Sequence, residues 1–285
     1  MAKGAYIGVG GVARKIKKGY LGVDGVARKI KKAYIGVGGV ARLCWSSGEL
    51  AYHGTATPLL VGRMQLAATS VGDFTLFAGG KTGSRDFAST VDIYNASLTK
   101  SAVKALSAAR YNLAATSTGS YALFAGGNPT ASTYSNVVDA YNTSLTKTTA
   151  TTLSIGRSQH TSAPLGGATS VGSYALFAGG FISSTAKTDV VDAYDASLTQ
   201  TSAMVLSSKT SFTAATTVGD YALFVCGTNG AYTDAYDSSL TKTTVSPLSA
   251  SRNFSVGGTI GDYALFAGGL YSTTYHTTVD AYTAA

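Results

Sequence analysis

Charge is scarce in this sequence: only 13% of its 285 residues are Asp, Glu, Lys or Arg, roughly half the share usual in soluble domains. Cysteine is scarcer still, with Cys44 and Cys226 alone, too few for the disulfide framework of small secreted domains. Four prolines and one tryptophan complete the shortages. No apolar run approaches the roughly 18 residues of a membrane span, which excludes membrane insertion by a helix. The opening Met1-Ala2-Lys3-Gly4-Ala5 has no continuous apolar stretch of signal-peptide length, so synthesis in the cytoplasm without a signal peptide is expected.

What fills the space is Gly, Ser, Thr and Tyr, around a hydrophobic share of 45%. That mixture suits short strands joined by polar turns and suits helices badly. The formal charge of +8 is unevenly spread. Residues 1–46 carry ten Lys and Arg against Asp24 alone, a net of +9, which leaves the other residues at −1. A basic arm therefore precedes a nearly neutral body.

The body repeats itself. Leu-Phe-Ala-Gly-Gly stands at 76–80, 123–127, 176–180 and 265–269, with Leu-Phe-Val-Cys-Gly at 223–227, so the copies lie 42 to 53 residues apart. That spacing falls in the window of propeller blades. Cys226 occupies a Gly position of this pattern and reads as a small buried thiol. Val-Asp-x-Tyr follows at Val91 to Tyr94, Val138 to Tyr141, Val191 to Tyr194 and Val279 to Tyr282, with Thr233 to Tyr236 in the fourth copy. Ser-Leu-Thr comes next at Ser97, Ser144, Ser197 and Ser239, then a Leu-Ser-x-x-Arg-like segment opens the next copy. Each copy holds four short β-rich runs, for example Ala114 to Ser117, Tyr121 to Ala125, Val137 to Tyr141 and Leu145 to Thr149, which is the content of one four-stranded sheet.

The fifth copy ends at Tyr282-Thr283-Ala284-Ala285, after its third run. Counting back from Arg63 without a gap aligns Ala51 to Thr57 with Leu98 to Lys104 and Leu145 to Thr151. A fourth-strand segment thus precedes the first full copy, and the simplest arrangement sets it beside the last sheet to close a ring.

The Leu-Ser-x-x-Arg opening, the apolar run ending in Gly-Gly and the acidic residue two before Tyr resemble the kelch repeat over residues 51–285. The resemblance implies an all-β fold: a five-bladed kelch-like β-propeller closed by an N-terminal strand at about 51–57 and preceded by a short β-repeat arm. Domains at 1–46 and 47–285 follow. The Trp that usually follows the Tyr in kelch repeats is missing, and Leu98, Leu145, Leu198 and Leu240 are expected to fill part of its space. Kelch propellers serve as scaffolds, lectin-like binders and occasional enzymes, so the fold leaves function open.

The arm has a stricter period of fourteen, at 5–18, 19–32 and 33–46. Gly10-Gly11, Asp24-Gly25 and Gly38-Gly39 between apolar runs are two-residue hairpin signals. Pairing across the first sets Val9 opposite Val12, Ile7 opposite Arg14 and Tyr6 opposite Lys15. Its assembly residues are expected to be Ile7, Val9, Val12, Arg14 and Ile16, with Leu21, Val23, Val26, Arg28 and Ile30 in the second unit. The pattern is similar to basic Gly-Val repeats in structural proteins of phages of Gram-positive bacteria. That resemblance implies an anchor bound to protein partners in a larger particle.

Chemistry is thin. The Gly-Gly pairs end β-runs and lack the following helix and Lys of a phosphate loop. Asp92, Asp139, Asp192, Asp234 and Asp280 recur in every copy, as do Arg63, Arg110, Arg157 and Arg252 in four, and a catalytic acid has no reason to appear five times. Both sets read as structural, as ion pairs between adjacent blades. His53, His160 and His276 have no metal-ligand spacing. No catalytic residue, metal or cofactor is expected.

The copies differ in the segments between the second and third runs, which should gather on one rim. They hold Arg85, Asp86, Phe87, Tyr134, Phe181, Lys187, Asn229, Tyr271, Tyr275 and His276. Aromatic faces with amides and hydroxyls suit a sugar or a protein surface. The leading expectation is a non-enzymatic phage or phage-like particle component, anchored by its arm and displaying a surface for a cell-surface glycan or protein. Its place would be the virion or another extracellular particle. The alternative is an intracellular kelch scaffold whose basic arm meets nucleic acid or an acidic protein.

Overall fold

The computed structural model describes residues 54–159, 167–211, 213–226 and 232–284, together with the backbone of six strands before residue 47. Residues 1–55 and 56–285 form two compact units.

In the first unit β1 (Tyr6–Val9) pairs with β2 (Val12–Lys15), β3 (Gly19–Val23) with β4 (Val26–Ile30), and β5 (Lys32–Val37) with β6 (Val40–Ser46). The fourteen-residue period thus becomes three antiparallel hairpins. Val9 faces Val12, Ile7 faces Arg14 and Tyr6 faces Lys15, the register expected of two-residue turns. The second hairpin repeats it with Val23 opposite Val26 and Leu21 opposite Arg28. Ile16 lies outside the described residues.

The second unit is built of antiparallel sheets in chain order. β7 (Ala67–Val71), β8 (Phe74–Ala78), β9 (Val91–Asn95) and β10 (Lys100–Ala102) form the first. β11 (Ala114–Ser117), β12 (Tyr121–Ala125), β13 (Val138–Asn142) and β14 (Lys147–Thr149) form the second. β15 (Ala168–Val171), β16 (Tyr174–Ala178), β17 (Val191–Tyr194) and β18 (Gln200–Ser202) form the third. β19 (Thr213–Val218), β20 (Tyr221–Cys226), β21 (Tyr232–Tyr236) and β22 (Lys242–Val245) form the fourth. The fifth has β23 (Val256–Ile260), β24 (Tyr263–Ala267) and, after a small hairpin of β25 (Leu270–Tyr271) and β26 (Thr274–Tyr275), β27 (Val279–Thr283).

Period-2 alternation gives every sheet two apolar faces. Leu76, Ala78, Val91 and Ile93 of the first sheet pack on Ala122, Phe124 and Tyr141 of the second. Leu123, Ala125, Val138 and Ala140 then pack on Ala175, Phe177 and Tyr194 of the third, and the same positions serve the next two interfaces. Within each sheet the Phe and Tyr rings meet edge to face, as at Phe124–Tyr141 with centroids 6.0 Å apart, a favoured aromatic geometry. The innermost strands β7, β11, β15, β19 and β23 all line one small cavity of about 350 Å³, walled mostly by alanines.

The two outermost faces differ from the rest. Phe77 and Tyr94 of the first sheet line an apolar groove of about 920 Å³ with Leu59 and Leu66. On the fifth sheet Ile260 is 67% exposed and Val279 56%. These faces carry the same repeat positions as the two sides of the interface that recurs four times inside the unit. Residues 54–57 carry no strand, 51–53 lie outside the described residues, and β27 has no fourth-strand neighbour among the described residues. Thr57 nonetheless occupies the place of Lys104, as the ungapped alignment expects. Tyr94 Oη donates to its carbonyl at 2.6 Å, as Tyr141 Oη does to Lys104 at 2.8 Å.

The repeated motifs have local causes. Gly79 has φ +68°, and a Cβ there would stand 2.6 Å from the carbonyl oxygen of Arg110. That carbonyl accepts the N–H of Gly80 at 3.0 Å. Gly-Gly is therefore a strand exit over which the next copy passes, and only Gly permits the approach. In Ser-Leu-Thr the Leu takes a left-handed backbone in all four copies, at φ +58° to +62°. The preceding Asn or Asp imposes it: Asn142 Oδ1 accepts the N–H groups of Ser144 and Thr146. Leu145, Leu198 and Leu240 pack against the inter-sheet cores, whereas Leu98 is exposed on the free face of the first sheet.

The Asp and Arg sets correct one expectation: their ion pairs form within each repeat, not between neighbours. Arg63 meets Asp92 at 2.8 Å, Arg110 meets Asp139 at 2.9 Å, Arg157 meets Asp192 at 2.7 Å and Arg252 meets Asp280 at 2.6 Å. The physical reason is that the Arg segment crosses the open end of its own sheet, where its guanidinium also donates to the Phe carbonyl of the second strand, as Arg110 does to Phe124. Lys147 on the fourth strand completes the cage around Asp139 at 3.0 Å. In the fourth sheet Thr210 stands in the Arg position, and Ser207, Thr244 and Lys242 hold Asp234. Burial would raise Asp139, but Arg110, the Ser107 hydrogen bonds and Lys147 outweigh it and hold the carboxyl below its ordinary range.

Candidate functional site

The repeated Arg places the two residues after it at the mouth of the loop rim. Arg110 is followed by Tyr111-Asn112 and Arg157 by Ser158-Gln159. Tyr111 bridges to Asn128, and Ser158 to Phe181, so each loop is stitched to the segment that opens its repeat. Between the second and third sheets these pieces form an open cavity of about 220 Å³, lined by Tyr111, Asn112, Asn128, Ala131, Tyr134, Ser158, Gln159, Phe181 and Ser184.

The backbone here is pinned from both sides. Asn112 has φ +53°, donates its N–H to the Gln65 carbonyl at 3.1 Å, and accepts from the Gln159 N–H at 3.0 Å. Tyr111 stacks on Phe87 at 4.7 Å and 21°, and Lys81 Nζ lies 5.6 Å from the Tyr111 ring centroid. Burial, with Tyr134 nearby, raises the Tyr111 phenol above its ordinary value. Lys187 Nζ sits 6.0 Å from the Phe181 ring centroid, in cation–π range.

Of the rim residues expected from sequence, the structure brings Tyr134 and Phe181 into the cavity, and joins Phe87 to it through Tyr111. Lys187 bridges back to Phe181. Arg85 and Asp86 are exposed beside Phe87 and line no part of it. Tyr271 and Tyr275 stand exposed on the fifth-sheet hairpin, and the His276 Nε2 is buried there. Asn229 lies outside the described residues. The reading by loop variation missed Tyr111, Asn112, Asn128, Ser158 and Gln159. The same criterion could have found Asn112 and Gln159, because the residue two after the Arg also varies, through Gln65, Asn112, Gln159 and Phe254.

Among the described residues no three or more His, Cys, Asp or Glu come together as metal ligands, and no helix is long and apolar enough to cross a membrane. His53, His160 and the side chains of Cys44 and Cys226 lie outside the described residues.

No known family model matches this chain, and neither does any curated protein. Among solved structures it is similar to the structure of YjhT, with a TM-score of 0.56 and 14% identity over 78% of this chain and 81% of that one. At that identity the likeness speaks for fold alone. The chain is an all-β protein with several four-stranded antiparallel sheets, compatible with a β-propeller-like fold.

Proposed function

We propose that residues 51–285 form a closed five-bladed propeller of kelch type that works as a non-enzymatic binding module. The free faces of the first and fifth sheets make its fifth inter-blade interface, and the segment at about 51–57 adds the missing fourth strand. The loop rim is its binding surface, for a cell-surface glycan or protein. The basic arm anchors the chain to protein partners in a phage-like particle, as its fourteen-residue Gly-Val repeat implies.

The observation that carries the binding role is the cavity between the second and third sheets. It is walled by aromatics and amides contributed by segments that differ between otherwise near-identical repeats. Binding sites are placed on variable loops held by a rigid scaffold. The test is retention of the full-length protein on an array of bacterial cell-surface glycans and on fixed bacterial cells. Retention that falls with Tyr134→Ala and Phe181→Ala supports the reading. Retention unchanged by both variants, or consumption of the glycan by the protein, overturns it.

A further inference from the structure

The side-chain amide of Asn112 is unusual in its surroundings. The residue is 3% exposed, lines the cavity, and leaves both Oδ1 and Nδ2 buried without a partner. Its neighbour Asn128 is otherwise engaged, donating Nδ2 to the Thr133 carbonyl at 2.8 Å. An unmet buried donor and acceptor on one amide carry a desolvation penalty that a ligand can remove. The pinned left-handed backbone of Asn112 fixes where that amide begins, so little ordering remains to be done on binding.

We infer that this cavity is a subsite for a single uncharged pyranose ring, anchored through adjacent hydroxyls by the amide of Asn112, and this rests on the reading of the rim as a glycan-binding surface. Three properties select that chemistry. One concerns charge: the lining carries no charged side chain. Arg110 and Arg157 are each already paired with a carboxylate, and the nearby Lys81 and Lys187 lie over the Tyr111 and Phe181 rings without lining the cavity. A second is the hydrogen-bonding set. An amide offers one acceptor and a donor group side by side. Vicinal hydroxyls satisfy both, whereas an anion would set its charge against Oδ1 and a hydrocarbon would satisfy neither. The third is size and wall chemistry. Pockets for drug-sized ligands run from about 300 to 1,000 Å³, so about 220 Å³ suits one ring. Tyr134 and Phe181 supply aromatic faces for its C–H surface.

The test is isothermal titration, with saturation-transfer NMR, of the full-length protein. The probes are the methyl pyranosides of glucose, galactose, mannose and N-acetylglucosamine, with glucuronate, inorganic phosphate and cyclohexanol as comparators. At least one methyl pyranoside should bind, and the comparators should not. Asn112→Gly removes the amide while keeping the left-handed backbone accessible, and should weaken that binding tenfold or more. Tyr134→Ala should do the same and serves if the glycine variant does not fold. Thr243→Ala on β22 should leave it unchanged. Absence of binding by all four pyranosides, stronger binding of glucuronate or phosphate, or equal affinity in both cavity variants overturns the subsite. Should array retention of the full-length protein survive Asn112→Gly yet vanish with Lys187→Glu, the rim keeps its role and this cavity loses its own.

Discussion

Arg110 and Asp139 meet at 2.9 Å with neither side chain exposed to solvent, and they belong to the same repeat. Burial lowers the Arg110 guanidinium despite the attraction of Asp139, and its Nε and Nη1 have no partner. The pair is therefore a structural clasp bought against desolvation. Removing one member leaves a buried charge, so Asp139→Ala should cost about 3–5 kcal/mol in chemical denaturation. Replacing both, as Arg110→Met with Asp139→Leu, should cost clearly less than the single change. Glycan retention should persist in any variant that folds. A stable Asp139→Ala protein that no longer binds would make the carboxylate a ligand group instead.

Acid stability follows from the same carboxylate. The folded form of Asp139 holds its proton less readily than the unfolded chain. Its contribution is thus present above the unfolded value of about 3.9 and is lost as the pH falls below it toward the folded value. Asp280 is shifted the same way through Arg252 and Ser249. Melting temperature should decline below about pH 4, and Asp139→Asn should show a shallower decline. An equally steep decline in that variant would assign the acid limb to other groups.

Left-handed leucines offer a contrast inside one motif. Leu98 is 44% exposed at φ +58°, while Leu198 is 9% exposed at φ +62°. A left-handed backbone costs an L-residue roughly 1–2 kcal/mol, which Gly does not incur. Leu198→Gly should destabilise by about 0.5–1 kcal/mol, because the lost burial of about 1.5–3 kcal/mol exceeds the relief of about 1–2 kcal/mol. In the closed ring proposed above, Leu98 would be covered by the fifth sheet as Leu198 is covered by its neighbour, so Leu98→Gly should also destabilise in thermal melts. If Leu98→Gly is instead neutral or stabilising while Leu198→Gly destabilises, Leu98 stays exposed and the first and fifth sheets do not close on one another.

Much of this architecture was legible because repetition exposes it. The strands Ala114–Ser117 and Tyr121–Ala125 begin and end where alternation and turn residues place them, and the arm register follows from two-residue turns alone. Partner choice was not legible for the Asp and Arg sets. Sequence shows that Arg110 and Asp139 recur, but which sheet end the Arg segment crosses depends on where Gly79 and Gly80 let the chain pass. The cavity was half legible. Tyr134 and Phe181 lie in plainly variable loops, whereas Asn112 sits two residues after an Arg shared by four copies and is recruited by backbone hydrogen bonds to Gln65 and Gln159.

Charge decides how the arm behaves. Ten basic residues oppose close packing of identical arms around a single Asp24, while burial of Ile7, Val9, Val12 and their counterparts would favour association. The full-length protein should sediment as a monomer at low salt and assemble through the arm at high salt, where repulsion is screened. Removal of residues 1–46 should abolish that assembly and leave a folded body. Removal of 1–57 should lower the melting temperature, through loss of the Thr57 carbonyl and of the closing strand. A compact full-length trimer at low salt would make the arm a self-sufficient shaft, and equal melting of the two truncations would remove the closing strand.

Hydrogen exchange on the full-length protein, with and without a glycan retained on the array, tests the loop rim as the binding surface most directly. Amides in 128–136 and 181–189 should exchange more slowly in the complex, with the Asn112 segment among them. Protection confined to the opposite turns at 95–99, 142–146, 195–199 and 237–241, with the loop segments unchanged, would contradict the account.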